Sequence, residues 1–174
     1  PETEMNDVRN RALPKPEDDR DRKLLADVQG HGWHVLGITA DDGEPNFAYS
    51  IGLYQTFNHP ELIVFGLDFG MMHTMINNVG ELIRAGRRFG DFDESGDVLQ
   101  NYKVMFRVVE QRHYKEHFGY ALWFYHPYPF PVLQCVWPDS QRRYPWDEHF
   151  NPNLVSRQPV LADVALWRFH PGKN

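Results

Sequence analysis

The sequence contains a single cysteine, Cys135, so no internal disulfide can form, and the count is consistent with a reducing compartment. No apolar run approaches the ~18 to 20 residues that a spanning helix needs. The polar, Pro-led start (PETEMNDVRNRALPKPEDDR) also lacks the apolar core of a signal peptide. A soluble, cytoplasmic protein with no membrane partner is therefore expected. No Lys/Arg stripe is present either: 18 basic residues stand against 24 acidic ones, for a net charge of −6. That balance argues against phosphate-driven nucleic-acid binding. There is no internal repeat and no linker. What remains is an ordinary globular composition, with 174 residues, 41% of them hydrophobic and 24% charged. At this length roughly 70% of the unfolded chain's surface can be buried, enough for a true core.

Residues 1–17 mix charges with Pro1, Pro14 and Pro16 and show no helical or strand period, so they read as a disordered arm, and residues 18–174 as a single domain. From Asp18, DDRDRKLLADVQGHG sets Leu24, Leu25 and Val28 at helical spacing and ends at Gly30. WHVLGITA, the turn DDGEP and NFAYSIGLY predict a hairpin, and ELIVFGL a buried strand. Over Gly70 to Ala85, Met72, Met75, Ile76, Val79 and Leu82 recur at steps of three and four, the mark of an amphipathic helix. GDFDESGD reads as an acidic loop, YKVMFRVVE as a strand, HYKEHFGYALWFY as a helix and VLQCVW as another strand. The tail carries a weak short-strand signal. The fold class expected is α+β, a mainly antiparallel or mixed sheet with two or three helices packed on one face.

Nine histidines invite a metal reading. HYKEH matches the pattern H-x-x-E-H, with His113 and His117 one helical turn apart, the spacing for two zinc ligands. A zinc site of that kind also needs a further acid, and the only later glutamate is Glu148, in a loop. Asp91, Asp93, Ser95 and Gly96 reproduce half a calcium loop, but its twelfth position is Tyr102 rather than a closing Glu. No metal is expected on these grounds. His31 and His34 flank a strand entrance and read as hydrogen-bonding or capping residues. Ser50 lacks a nucleophile elbow and Cys135 lies in an apolar strand, so neither stands out as a nucleophile. The stretch from Tyr120 to Trp137, followed by Tyr144-Pro145-Trp146, holds more rings than one small core needs. On Pro-stiffened loops such rings can line a pocket, with Asp139 and Asp147 as polar handles.

Three blocks, PNFAYSIGL (45–53), HPELIVFGL (59–67) and QCVWPDSQRRYPWD (134–147), together resemble the bacterial family of domain of unknown function 4262. The matching positions are Tyr49, Ser50, Gly52, His59, Pro60, Glu61, Gly66, Gln134, Trp137, Asp139, Pro145 and Trp146, within a likeness that spans roughly residues 28 to 150. Cys135 and the basic run Gln141-Arg142-Arg143 depart from the pattern. The resemblance implies no activity, cofactor or catalytic residue.

His59 and Glu61 flank Pro60 at a strand entrance, as either an acid/base pair or a structural clamp. Gly52 and Gly66 sit inside strand-like segments, where a close approach by a ligand or another backbone would require them. The leading expectation is a domain that binds a small planar or anionic ligand between these strands and the late aromatic loop. Tyr49, Ser50, His59, Glu61, Trp137, Asp139 and Trp146 would line that pocket. A flavin-type cofactor would suit the rings, but no phosphate cradle is legible. One alternative is an acidic immunity or adaptor subunit with a protein partner, a homodimer included. The other is a metal-dependent hydrolase using the histidines.

Overall fold

The computed structural model describes residues 8–163. Helix α1, Asp19–Gly30, begins at Asp18, whose carboxylate accepts the Asp21 N–H at 2.9 Å. Its Leu24, Leu25 and Val28 are buried. Strands β1 (His34–Ile38) and β2 (Phe47–Ile51) form the expected hairpin, in register from His34 opposite Ile51 to Ile38 opposite Phe47. The short helix α2 (Leu53–Phe57) links β2 to β3 (Glu61–Phe65), and α3 (Phe69–Arg84) follows. Strands β4 (Glu94–Leu99) and β5 (Tyr102–Val108) form a second hairpin. Helices α4 (Tyr114–His117) and α5 (Gly119–Tyr125) precede β6 (Val132–Val136).

The six strands form one mixed sheet in the order β1-β2-β3-β6-β5-β4, in which β3 and β6 alone run parallel. The protein is thus α+β. Its helices, however, cover both faces rather than one. Helix α3 lays Met72, Met75, Ile76 and Val79 on Ala48, Leu62, Val64 and Leu133, while α1, α4 and α5 cover Phe47, Tyr49, Ile63 and Phe65 on the opposite face. The reason lies in the strands themselves: all five residues of β2, of β3 and of β6 are buried, so neither face of the central sheet could be left in water.

Other segments depart from the sequence expectation. Half of the acidic loop is strand β4, with Ser95 opposite Val104. The helix expected from His113 breaks at Phe118, whose φ of −115° and ψ of 40° separate α4 from α5. On α3, Ile83 is buried and Leu82 only half-buried. The supposed arm docks over residues 8–13: Val8 is buried, Leu13 packs on the core, and the Arg11 guanidinium lies 4.7 Å from the centre of the Phe124 ring. The tail from residue 164 on, with its weak strand signal, lies outside the described residues, as do residues 1–7.

Candidate functional site

The residues that carry the sequence motifs are mostly committed to holding the chain in place. Glu61, at the entrance of β3, is fully buried. Its Oε1 accepts the Gly52 N–H at 3.0 Å, the Tyr54 N–H at 2.8 Å and the Tyr125 hydroxyl at 3.0 Å, and its Oε2 accepts the Ser50 hydroxyl at 2.8 Å. Ser50 and Tyr125 in turn accept the backbone N–H groups of Leu62 and Gln55, so both hydroxyl protons are directed at the carboxylate. Burial nevertheless pushes the Glu61 carboxyl up to about 7, against these four hydrogen bonds. Tyr49 lies on the same face, its hydroxyl accepting the Tyr120 N–H, and burial raises its pKa as well.

His59 is also buried but does not touch Glu61 in an acid/base pair. Its Nε2 accepts the Phe89 N–H at 3.0 Å and its Nδ1 lies 2.9 Å from the Pro60 carbonyl, which fixes a neutral, Nδ1-protonated ring. Desolvation lowers its pKa, the Pro60 carbonyl opposes this, and the Arg88 charge adds to it.

The late block sits at the other end of the same strand. Trp137 donates its indole N–H to the Phe65 carbonyl at 2.7 Å. In the parallel β3–β6 register Glu61 pairs with Val132 and Ile63 with Gln134, so Trp137 lies just past the exit of β3 and Glu61 at its entrance, about 16 Å apart along the strand. Gln134 clamps the segment after it through the Pro159 carbonyl and the Leu161 N–H. Asp139 accepts the N–H groups of Gln141, Arg143 and Asn151. Desolvation would raise its pKa, but those amides and the Arg143 charge hold it below the usual carboxylate value. Trp146 stacks on Tyr144 at 5.2 Å, and Arg107 lies between it and Phe92.

Of the seven expected site residues, the structure gathers Tyr49, Ser50 and Glu61 around one buried carboxylate, sets His59 beside Phe89, and places Trp137, Asp139 and Trp146 beyond the far end of β3. The two strand glycines are explained by backbone contact. A Cβ on Gly52 would lie 2.7 Å from the Gly32 carbonyl oxygen, and one on Gly66 only 2.0 Å from that of Arg157. His34 bonds Asp27 at 2.7 Å and His31 ends α1, the hydrogen-bonding and capping roles expected. The half calcium loop spends its oxygens internally, Asp91 on Arg107 and Asp93 on Gly90. Cys135 is buried, and burial raises its thiol pKa.

A different constellation is open to solvent. The turn after β1 faces α4 across a cleft of about 210 Å³, lined by Asp41, Glu44, Phe47, Phe65, Glu116 and His117 among others. The His117 ring meets Phe47 and Phe65 edge to face, at 5.2 and 5.3 Å. Desolvation lowers its pKa; Glu116 and Glu44 pull it up and His113 pushes it down. In the sequence Asp41-Asp42-Gly43-Glu44-Pro45 reads as turn chemistry alone. Its excess of acid was the available signal, but its target, 72 residues or more along the chain, was not visible.

A two-faced α+β layer with a sealed polar centre and an acidic, aromatic cleft beside α4 is the class of protein that emerges. The chain belongs to the family described as domain of unknown function (DUF4262), whose model matches residues 27–151. No curated protein and no solved structure matches it. Among the described residues, no helix is long and apolar enough to cross a membrane.

Proposed function

We propose that this domain binds a small cation, bare or as the charged group of a small molecule, in the cleft between the turn after β1 and α4. The observation that carries the reading is the meeting of three carboxylates, Asp41, Glu44 and Glu116, on one small cleft walled by the rings of Phe47, Phe65 and His117. Negative potential focused in a concave, low-dielectric site favours a cation, and ring faces and edges suit a planar group. The ligand class expected from sequence keeps its planar part. Its anionic part does not suit a cleft rimmed by acids.

Amide chemical shifts of the labelled full chain, followed on addition of benzylamine, benzoate, calcium or zinc, test the reading. At least one cation is expected to move the resonances of residues 38–45 and 116–117, while benzoate leaves them in place. Shifts with benzoate, or no response to any cation, would overturn it. The partner-binding alternative draws on Phe69 and Met71, 39% and 41% exposed at the start of α3. A cleft silent to all cations in a self-associating protein would favour that alternative.

A further inference from the structure

His117, which lines this cleft, ends α4, and His113 ends the preceding 3-10 turn Gln111–His113, so the two imidazoles stand one turn apart. One nitrogen of each ring and one carboxylate oxygen of Glu116 all lie within 4.8 Å of one another. Tetrahedral zinc, with ligands at about 2.0–2.1 Å, spaces its donors about 3.3 Å apart. Side-chain rotation of Glu116, 73% exposed, can supply much of that closure.

The second observation is independent of this spacing. His113 Nε2 and His117 Nδ1 are sealed from solvent and have no hydrogen-bond partner among the described residues, while the other His117 nitrogen, Nε2, lies 3.9 Å from a Glu116 carboxylate oxygen. Buried polar atoms in folded proteins are nearly always satisfied, and two orphaned imidazole nitrogens in one turn call for a specific explanation. Phe47 and Phe65 hold the His117 ring edge-on, so it is not free to swing toward water.

We propose that His113, Glu116 and His117 form a site for a divalent transition-metal ion, zinc being the type case, with the remaining coordination position open to the cleft of Asp41 and Glu44. Two imidazoles and one carboxylate are a borderline donor set that selects zinc, cobalt or nickel over calcium and magnesium, which prefer oxygen alone. The ground for expecting no metal, the lack of a further acid after HYKEH in the sequence, is met by Glu116 itself, whose carboxylate lies with both rings as the third donor. Three protein ligands and an open position are the arrangement of metal sites that activate water or hold a substrate atom. The proposal deepens the cation-binding reading and rests on it.

Titration calorimetry of the full, tag-free, chelator-stripped chain with zinc alone, and with calcium alone, tests it, together with the visible spectrum of the cobalt-loaded protein. One zinc per chain is expected, with little calcium binding and intense cobalt bands of a four-coordinate ion. His113→Ala should weaken zinc by more than the roughly 10- to 100-fold that outer-shell partners contribute. Glu44→Gln should weaken it far less. Because His117 is packed among rings and its removal can unfold the chain, imidazole nitrogen shifts of the wild-type protein give the second readout: both His113 and His117 should move on zinc addition. Zinc binding that survives His113→Ala unchanged, or that leaves these two rings unmoved, refutes the site. If benzylamine or calcium fills the cleft while zinc does not bind, this proposal fails and the cation-binding reading stands. If no cation binds, both fail.

Discussion

Glu61→Gln isolates the energetics of the buried carboxylate. In the folded protein the Glu61 carboxyl titrates near 7, against 4.5 for the ordinary group. A raised folded value means that, between these two pH values, the native state holds a proton that the unfolded chain has lost. Stability from this group is therefore complete below 4.5 and falls as the pH rises through 7, by about 1.4 kcal/mol per pH unit and about 3 kcal/mol in all. His59 acts in the opposite sense: its folded pKa is lowered, so the unfolded state binds more protons at acid pH and stability rises with pH through its window. The difference between wild type and Glu61→Gln cancels that contribution. Glutamine keeps an oxygen for the Gly52, Tyr54 and Tyr125 donors and carries no charge. Relative to this variant, wild type should lose about 2 to 3 kcal/mol between pH 5 and pH 8, measured by urea unfolding at each pH. Glu61→Ala should be destabilised at every pH, by roughly 3–5 kcal/mol, because four donors are orphaned. A difference that stays flat, or in which wild type gains on the variant as pH rises, would show that the four hydrogen bonds outweigh desolvation and that Glu61 is ionised well below neutrality.

Gly66→Ala should cost about 2–4 kcal/mol in thermal or urea unfolding, from a φ of +77° and a Cβ driven into the Arg157 carbonyl; a neutral result would mean that the Pro152–Arg157 segment gives way freely. Asp139→Ala should cost about 2–3 kcal/mol by orphaning the amides of Gln141, Arg143 and Asn151. Cation binding in the cleft should survive that change, since Asp139 does not line it, and a parallel loss of binding would point back to the late loop as the ligand site.

The local part of this structure was legible from spacing. The steps of three and four from Met72 to Val79 required an amphipathic helix, and alternation with a DDGEP turn required the β1–β2 hairpin. The runs FAYSI, ELIVF and VLQCV, apolar but for Ser50, Glu61 and Gln134, lack the in-out alternation of a sheet with one wet face, and the structure buries both faces. Glycine inside a strand-like segment signals a close approach, and at Gly52 and Gly66 it is backbone that approaches. The motif blocks fixed the family as well, since an ordered trio of patterns survives without any knowledge of contacts.

Which chemistry each motif residue performs was decided by tertiary structure. Glu61 reads as one half of a pair with His59 because they are two positions apart. Alternation in a strand directs neighbouring odd positions to one face, but His59 precedes β3 and turns instead to the Phe89 amide, 30 residues away, while Glu61 finds Tyr125, 64 residues away. HYKEH reads as a pattern without a cleft because the turn that supplies Asp41 and Glu44 joins it only after β1, β2 and α4 have packed on one sheet face. Hydrogen bonds and ligand spheres act over about 3 Å, whereas the chain separates these partners by dozens of residues. Periodicity therefore specifies the elements, and only the packing of those elements brings the polar groups within range of one another.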